Sequence, residues 1–220
     1  MKEPYRELTK FKSELQKRLK KEFLRFTIMG FDELNVFTTK TMTKEAYSRI
    51  ASFNNRYFGK IAREGRSFAL GFLTEEEKKS LSKMDIALLI AFVLTEYNIV
   101  TGYRYDTEWE RKRMRYTEAV LAAKEANDRQ YLTEMSKKNA NLLLTQSMQY
   151  GIEIEDESIK ETFKKAGIKE VVWVTEKDGK VCSICRERDG KRYPIDSVPD
   201  KPHYNCRCYI RPYRPDKNGS

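Results

Sequence analysis

The sequence predicts an α+β protein that is mostly α. A helical region covers residues 1–150, a small C-terminal module with a metal-stapled β-hairpin covers 151–212, and a disordered tail covers 213–220. Three observations carry this reading. Apolar residues recur every three or four positions through most of the first 150 residues, as amphipathic helices require. The stretch Glu170-Val-Val-Trp-Val-Thr175 is instead dense in β-branched and aromatic side chains, which favour strands. All four cysteines and the single histidine lie within the last quarter of the chain, in a segment too small to bury a sufficient core without a staple.

Taken in order, Leu8, Phe11, Leu15, Leu19, Phe23 and Phe26 mark one apolar stripe on a first helix over residues 4–27. Nine basic and four acidic residues between Met1 and Thr27 crowd its other faces, as a solvated helix face or a DNA-contacting arm would have it. Gly30 and the threonines after it read as a turn region. Thr43 is placed to cap a second helix from Lys44 to Arg63, with Ala46, Tyr47, Ile50, Phe53, Tyr57 and Ile61 inward and Gly65 as its stop. Thr74 and Glu77 have capping-box spacing and open a third helix that ends before Gly102. That helix contains the apolar run Ile86–Leu94 and should be the most enclosed element, at the centre of the N-terminal core.

Tyr103 to Trp109 form a polar-aromatic entry to the longest helical region, from Thr107 to Tyr150. Trp109, Tyr116, Val120, Ala123, Tyr131, Met135 and Leu142 keep its rhythm. It is either one rod or a pair broken near Asn127-Asp128, and it serves either as a bridge between assembled subunits or as a bundle helix folded back. Glu153, Glu155, Asp156 and Glu157 precede a short helix from Ser158 to Ala166, where the helix dipole accounts for them, and Gly167 closes it. After the strand Glu170–Thr175, Asp178-Gly179 turns the chain into a second strand that leads to the cysteines. Asp189-Gly190 makes a further turn, followed by short strands at Lys191–Ile195 and Cys206–Arg211. Trp173 is expected to pack over the cysteines or against the preceding helix.

Cys182-Ser-Ile-Cys185 lets two thiolates turn onto one ion from a tight knuckle. A second group arriving on a return strand can complete a zinc tetrahedron. Five ligands compete for four places: Cys182, Cys185, His203, Cys206 and Cys208. The preferred set is Cys182, Cys185, His203 and Cys206, with Cys208 a buried neighbour. The all-cysteine set is the alternative, because residues i and i+2 of a strand face the same side. Two disulfides are the competing use of the thiols, but the opening Met-Lys-Glu-Pro-Tyr-Arg has no apolar leader and favours a reducing compartment.

In this order, Trp173-x-Thr175, Asp178-Gly-Lys-Val-Cys-Ser-Ile-Cys185, Asp189-Gly190 and His203-x-x-Cys206-Arg-Cys208 resemble the C-terminal module of the phage Mu F-like head morphogenesis family, the minor capsid proteins of tailed bacteriophages. The likeness covers about residues 140 to 212, with Tyr204 standing where that family usually has proline. It implies a structural head component near the portal vertex that acts in procapsid assembly and in DNA packaging or delivery. Its place would be the virion, and the host cytoplasm during assembly. Its partners would be the portal protein or the major capsid protein, and packaged double-stranded DNA bound without sequence choice.

The charge agrees with a polyanionic partner without identifying one: 43 basic against 33 acidic residues leave a net +10. Arg186, Arg188, Lys191, Arg192, Arg207, Arg211 and Arg214 are the candidate phosphate contacts. The apolar run of nine residues at Ile86–Leu94 is far short of the roughly 18 needed to span a bilayer, so no membrane partner is expected. There is no glycine-rich phosphate loop, and the one histidine is better used beside the cysteines. The expectation is therefore a binding and assembly protein with structural zinc and no enzymatic activity. The alternatives are a zinc-ribbon nucleic-acid-binding protein and a nuclease or toxin-like effector.

Overall fold

Helices make up most of the chain, and the only sheet among the described residues lies near its C-terminal end. The computed structural model describes residues 5–81, 86–101, 105–176, 179–203 and 206–215. The helices are α1 (Arg6–Ile28), α2 (Val36–Leu70), α3 (Glu75–Lys79), α4 (Ile86–Thr101), α5 (Tyr105–Glu125), α6 (Arg129–Lys165) and α7 (Ser183–Arg188). The strands β1 (Glu170–Val174), β2 (Arg192–Pro194) and β3 (Tyr209–Pro212) form one antiparallel sheet in the order β2-β1-β3. Among the described residues no helix is long and apolar enough to cross a membrane.

The chain packs as two units. One comprises Met1–Glu7, Gly59–Ile90 and Gly151–Ser220, and the other Leu8–Phe58 and Ala91–Tyr150. Aromatic rings fill the second unit. Phe11 meets Phe53, Tyr57 and Phe58 at centroid distances of 5.3–5.9 Å, and Tyr116 meets Phe23 and Phe26 edge-on at 5.1 and 5.3 Å. All of these rings but Phe58 lie on the stripes that the sequence spacing marks, and truncating one such side chain to alanine costs about 3–5 kcal/mol. Hydroxyl and amide pairs fix the helices around them: Tyr47 donates to Asn139 at 2.7 Å, and Asn54 donates to Ser147 at 2.8 Å.

Helix boundaries differ from the sequence reading in four places. Asn35 starts α2, its side-chain oxygen accepting the Thr38 N–H at 2.9 Å. Thr43 is therefore no cap: it is fully buried mid-helix, its hydroxyl 2.8 Å from that of Thr117. Gly65 does not stop α2 either. A Cβ there would stand 2.6 Å from the carbonyl oxygen of Glu155 and 3.1 Å from Cβ of Ser158, so the glycine permits a close helix crossing. Ser158 seals that crossing by donating to the carbonyl of Ala62 at 2.5 Å.

The Thr74–Glu77 capping box is present, but α3 is one short turn. The apolar run belongs to α4, which is not the most enclosed element. Over the described side chains 87–94, Leu89 and Val93 are buried, whereas Leu88 is 68 % and Phe92 50 % exposed. The long helical region is a pair. Asn127 takes a positive φ of 50°, which asparagine tolerates better than most residues, and Asp128 caps α6 by accepting the Tyr131 N–H at 2.8 Å. α6 then continues through Gly151 to Lys165, so the acidic residues 153–157 lie inside a helix and not before one. The Tyr103 part of the predicted aromatic entry lies outside the described residues.

In the sheet, β1 pairs with β2 through Val171↔Tyr193 and with β3 through Trp173↔Ile210. Val171 and Trp173 are buried on one face. The expected second strand before Cys182 does not form among the described residues, and its turn residue Asp178 lies outside them. Tyr213 and Arg214, expected to be part of a loose tail, are tied down. The Tyr213 N–H donates to the carbonyl of Glu170 at 2.9 Å, and Arg214 makes two hydrogen bonds to the Glu77 carboxylate at 2.8 and 3.0 Å.

Candidate metal centre

α7 begins at Cys182, whose sulfur accepts the Cys185 N–H at 3.4 Å and so acts as its N-cap. The single helical turn that follows swings Cys185 inward until it is 1 % exposed. From the other side, the segment entering β3 delivers Cys206 and Cys208, both buried. Their i, i+2 spacing puts the two sulfurs on one side of an extended backbone. The sulfurs of Cys185, Cys206 and Cys208 lie within 4.8 Å of one another.

The spacing suits an ion. Thiolates held at about 2.3 Å from a tetrahedral metal stand about 3.8 Å apart, and the Cys185–Cys206 separation is 3.3 Å within a cluster bounded at 4.8 Å. Disulfide sulfurs are bonded at about 2.05 Å, and all four cysteines here are free thiols. The cluster can hold a metal ion. The preferred set of the sequence reading is not the one brought together: Cys208 lies within the group, while His203 is exposed and contributes its backbone carbonyl to the Cys206 N–H at 3.0 Å. Cys182 stays half-buried at the start of α7.

Mutual hydrogen bonding divides the thiols electrostatically. Cys206 is pulled down to about 5, chiefly by hydrogen bonding from Cys208, with Lys201 adding a favourable charge. Burial, with hydrogen bonds to Cys206 and Cys182, pushes Cys185 up to about 12. Cys208 moves up, first through its bond to Cys206. One negative charge is thus readily held and further ones are resisted, so complete deprotonation calls for a cation between the sulfurs.

Behind the cysteines lies a buried polar network that the sequence did not reveal. Tyr5 directs its hydroxyl at the carbonyl of Cys208, 2.8 Å away, and at Asp156 Oδ1, 3.0 Å away. Its backbone N–H donates to Glu155 at 2.9 Å. Lys201 donates to the same hydroxyl, lies 3.6 Å above the Tyr5 ring and pairs with Asp156 at 2.8 Å. Burial pushes the Tyr5 hydroxyl well up, with Asp156 adding to it. Glu155 is also pushed well up by burial, so it is the carboxyl group of the network that resists ionisation. No spacing rule singles out Tyr5 among 13 tyrosines, whereas Lys201, close in sequence to the C-x-C pair, was a legible candidate.

The seven candidate phosphate contacts separate by what already holds them. Arg214 is taken by Glu77, while Arg188 donates to the carbonyl of Asp200 at 2.7 Å and stacks over Trp173 at 5.1 Å. Arg186, exposed, donates to the carbonyl of Val181 at 3.2 Å. Arg192 and Arg211 are both exposed and both pair in register with Val172. They therefore flank it on one face of the sheet. Lys191 and Arg207 are also exposed, and the Arg192 guanidinium lies 4.2 Å over the Tyr213 ring.

A scan against protein-family models and searches of curated proteins and of solved structures give no match to this chain.

Proposed function

We propose that this chain is a bacteriophage minor capsid protein that acts in head morphogenesis, and that structural zinc fixes its C-terminal module. The observation that supports the reading is the meeting of the C-x-x-C and C-x-C segments at one buried point, within the ordered motif series that resembles the Mu F-like family. Cys185, Cys206 and Cys208 would hold the ion, and Cys182 would supply the fourth thiolate from the same knuckle. Zinc tolerates an all-sulfur tetrahedron and undergoes no redox change, which suits a staple. The protein would be a structural component near the portal vertex, in contact with portal or major capsid protein, with no catalytic role of its own.

Two measurements test this. Freshly purified, untagged protein is expected to carry about one zinc per chain by elemental analysis, lost in Cys206→Ser and retained in His203→Ala. Co-expression with portal and major capsid proteins is expected to place the chain in assembled procapsids. Procapsids that form normally without it, and never contain it, would refute the assembly role while leaving the zinc site standing.

Arg192 and Arg211, exposed on either side of Val172 on one face of the sheet, favour a second reading in which the module also contacts nucleic-acid backbone. Binding to duplex DNA would then be independent of sequence, fall steeply with salt, and weaken in an Arg192→Ala/Arg211→Ala double variant. Sequence-selective binding would point to a nucleic-acid-binding zinc module instead.

A further inference from the structure

Between α5 and α6, within the second unit, runs an open groove of 660 Å³. Its walls are apolar at Ala119, Met135 and Leu142, and Leu142 is 47 % exposed. Lys112, Arg115 and Lys138 supply the basic charge, against Glu108 alone. That carboxylate is already matched by Lys112 at 3.1 Å and Arg111 at 3.3 Å. Arg115 and Lys138 are exposed and form no ion pair with another described residue.

We propose that this groove is the docking site for an acidic amphipathic helix of a partner protein. Two neighbouring helices present parallel ridges into which a third can pack. The stretch of α6 that lines the groove, Met135 to Gln149, is about 21 Å long at 1.5 Å per residue, the length of some four helical turns. Leucine-like side chains of the partner would cover Ala119, Met135 and Leu142. Its flanking carboxylates would meet Arg115 and Lys138. Complementary charge sets the choice of partner and the encounter rate. A second copy of this chain is a poor occupant because each copy carries a net +10, and an apolar floor offers nothing to a phosphate backbone. The inference depends on neither the zinc nor the proposed role in the head.

The test uses the full chain and a fluorescent 16-residue amphipathic peptide with glutamates beside a leucine stripe, together with its lysine-for-glutamate twin. The acidic peptide is expected to bind at least tenfold more tightly than the twin. Leu142→Glu should weaken it tenfold or more, while Leu24→Glu, on the separate groove between α1 and α6, leaves it unchanged. The exposed double change Arg115→Glu/Lys138→Glu should reverse the preference between the peptides, with helix content by circular dichroism reporting that the fold persists. Equal binding of the two peptides, or an unreversed preference in the double variant, overturns the proposal. So does displacement of the peptide by short duplex DNA, or by self-association of the chain.

Discussion

The Tyr5 hydroxyl supports the thiol site at the residue scale, because one buried group serves a carbonyl, a carboxylate and an ammonium group together. Its backbone takes a positive φ of 64°, unusual for a bulky residue, so these bonds also hold a disfavoured conformation. Tyr5→Phe keeps the ring and removes the hydroxyl, leaving Lys201 and the Cys208 carbonyl each short of a partner. The expected loss is about 1–3 kcal/mol, accompanied, where the proposed zinc is bound, by its faster transfer to a chelator. Wild-type melting and transfer rates in this variant would remove Tyr5 from the support of the site. Glu77 gives the pH test. Hydrogen bonding from Arg214 lowers it from 4.5 to about 2, so its contribution is complete above about pH 4.5 and is lost as the pH falls toward 2. Acid titration of stability should therefore be shallower in Glu77→Gln across that window. Glu155 works in the opposite sense. Burial raises it, so stability falls as the pH climbs from the ordinary carboxyl range toward its folded value, and Glu155→Gln should flatten that slope.

At the scale of elements, the α2–α6 crossing at Gly65 and the α5–α6 break at Asn127-Asp128 make separable predictions. Gly65→Ala would gain about 1 kcal/mol of helix propensity, but it drives a methyl group to 2.6 Å from a backbone oxygen. The net expected outcome is destabilisation by about 1–3 kcal/mol, read by denaturant unfolding, and a stabilised variant would disprove the tight crossing. Asp128→Ala removes the cap of α6 and should cost about 1 kcal/mol. These elements also mark how far the sequence could be read. The apolar stripes of α1, α2 and α5 and the box at Thr74 were legible, since each depends on local spacing or local chemistry, while the break at Asn127 was one of two alternatives left open. Gly65, Thr43 and Gly151 were misread as boundaries because their roles are set by what packs against them. The acidic run 153–157 looked like decoration at a helix start, and the partner that makes Glu155 a buried group is 150 residues away. In the site, the C-x-x-C and C-x-C spacings were visible, while the choice of Cys208 over His203 depended on how the chain enters β3.

For the whole molecule, the two units divide the expected response to metal loss. With the proposed zinc bound, chelation should loosen the first unit, where Tyr5 links the Cys208 carbonyl to Glu155 and Asp156. The aromatic core of Phe11, Phe23, Phe26 and Tyr116 in the second should be spared. Hydrogen exchange checks this directly: protection should drop around β1, α7 and β3 on zinc removal and persist in α5. Uniform loss across the chain would mean that the units do not respond separately.

Tyr5 and the Cys208 carbonyl are 203 residues apart, and a ribosome needs about 10–40 s to cover that distance at 5–20 residues per second. The tyrosine emerges first of the four groups and has to wait for the carboxylate of Asp156, then for Lys201 and the Cys208 carbonyl. Nascent-chain binding proteins would meet an incomplete first unit throughout that interval.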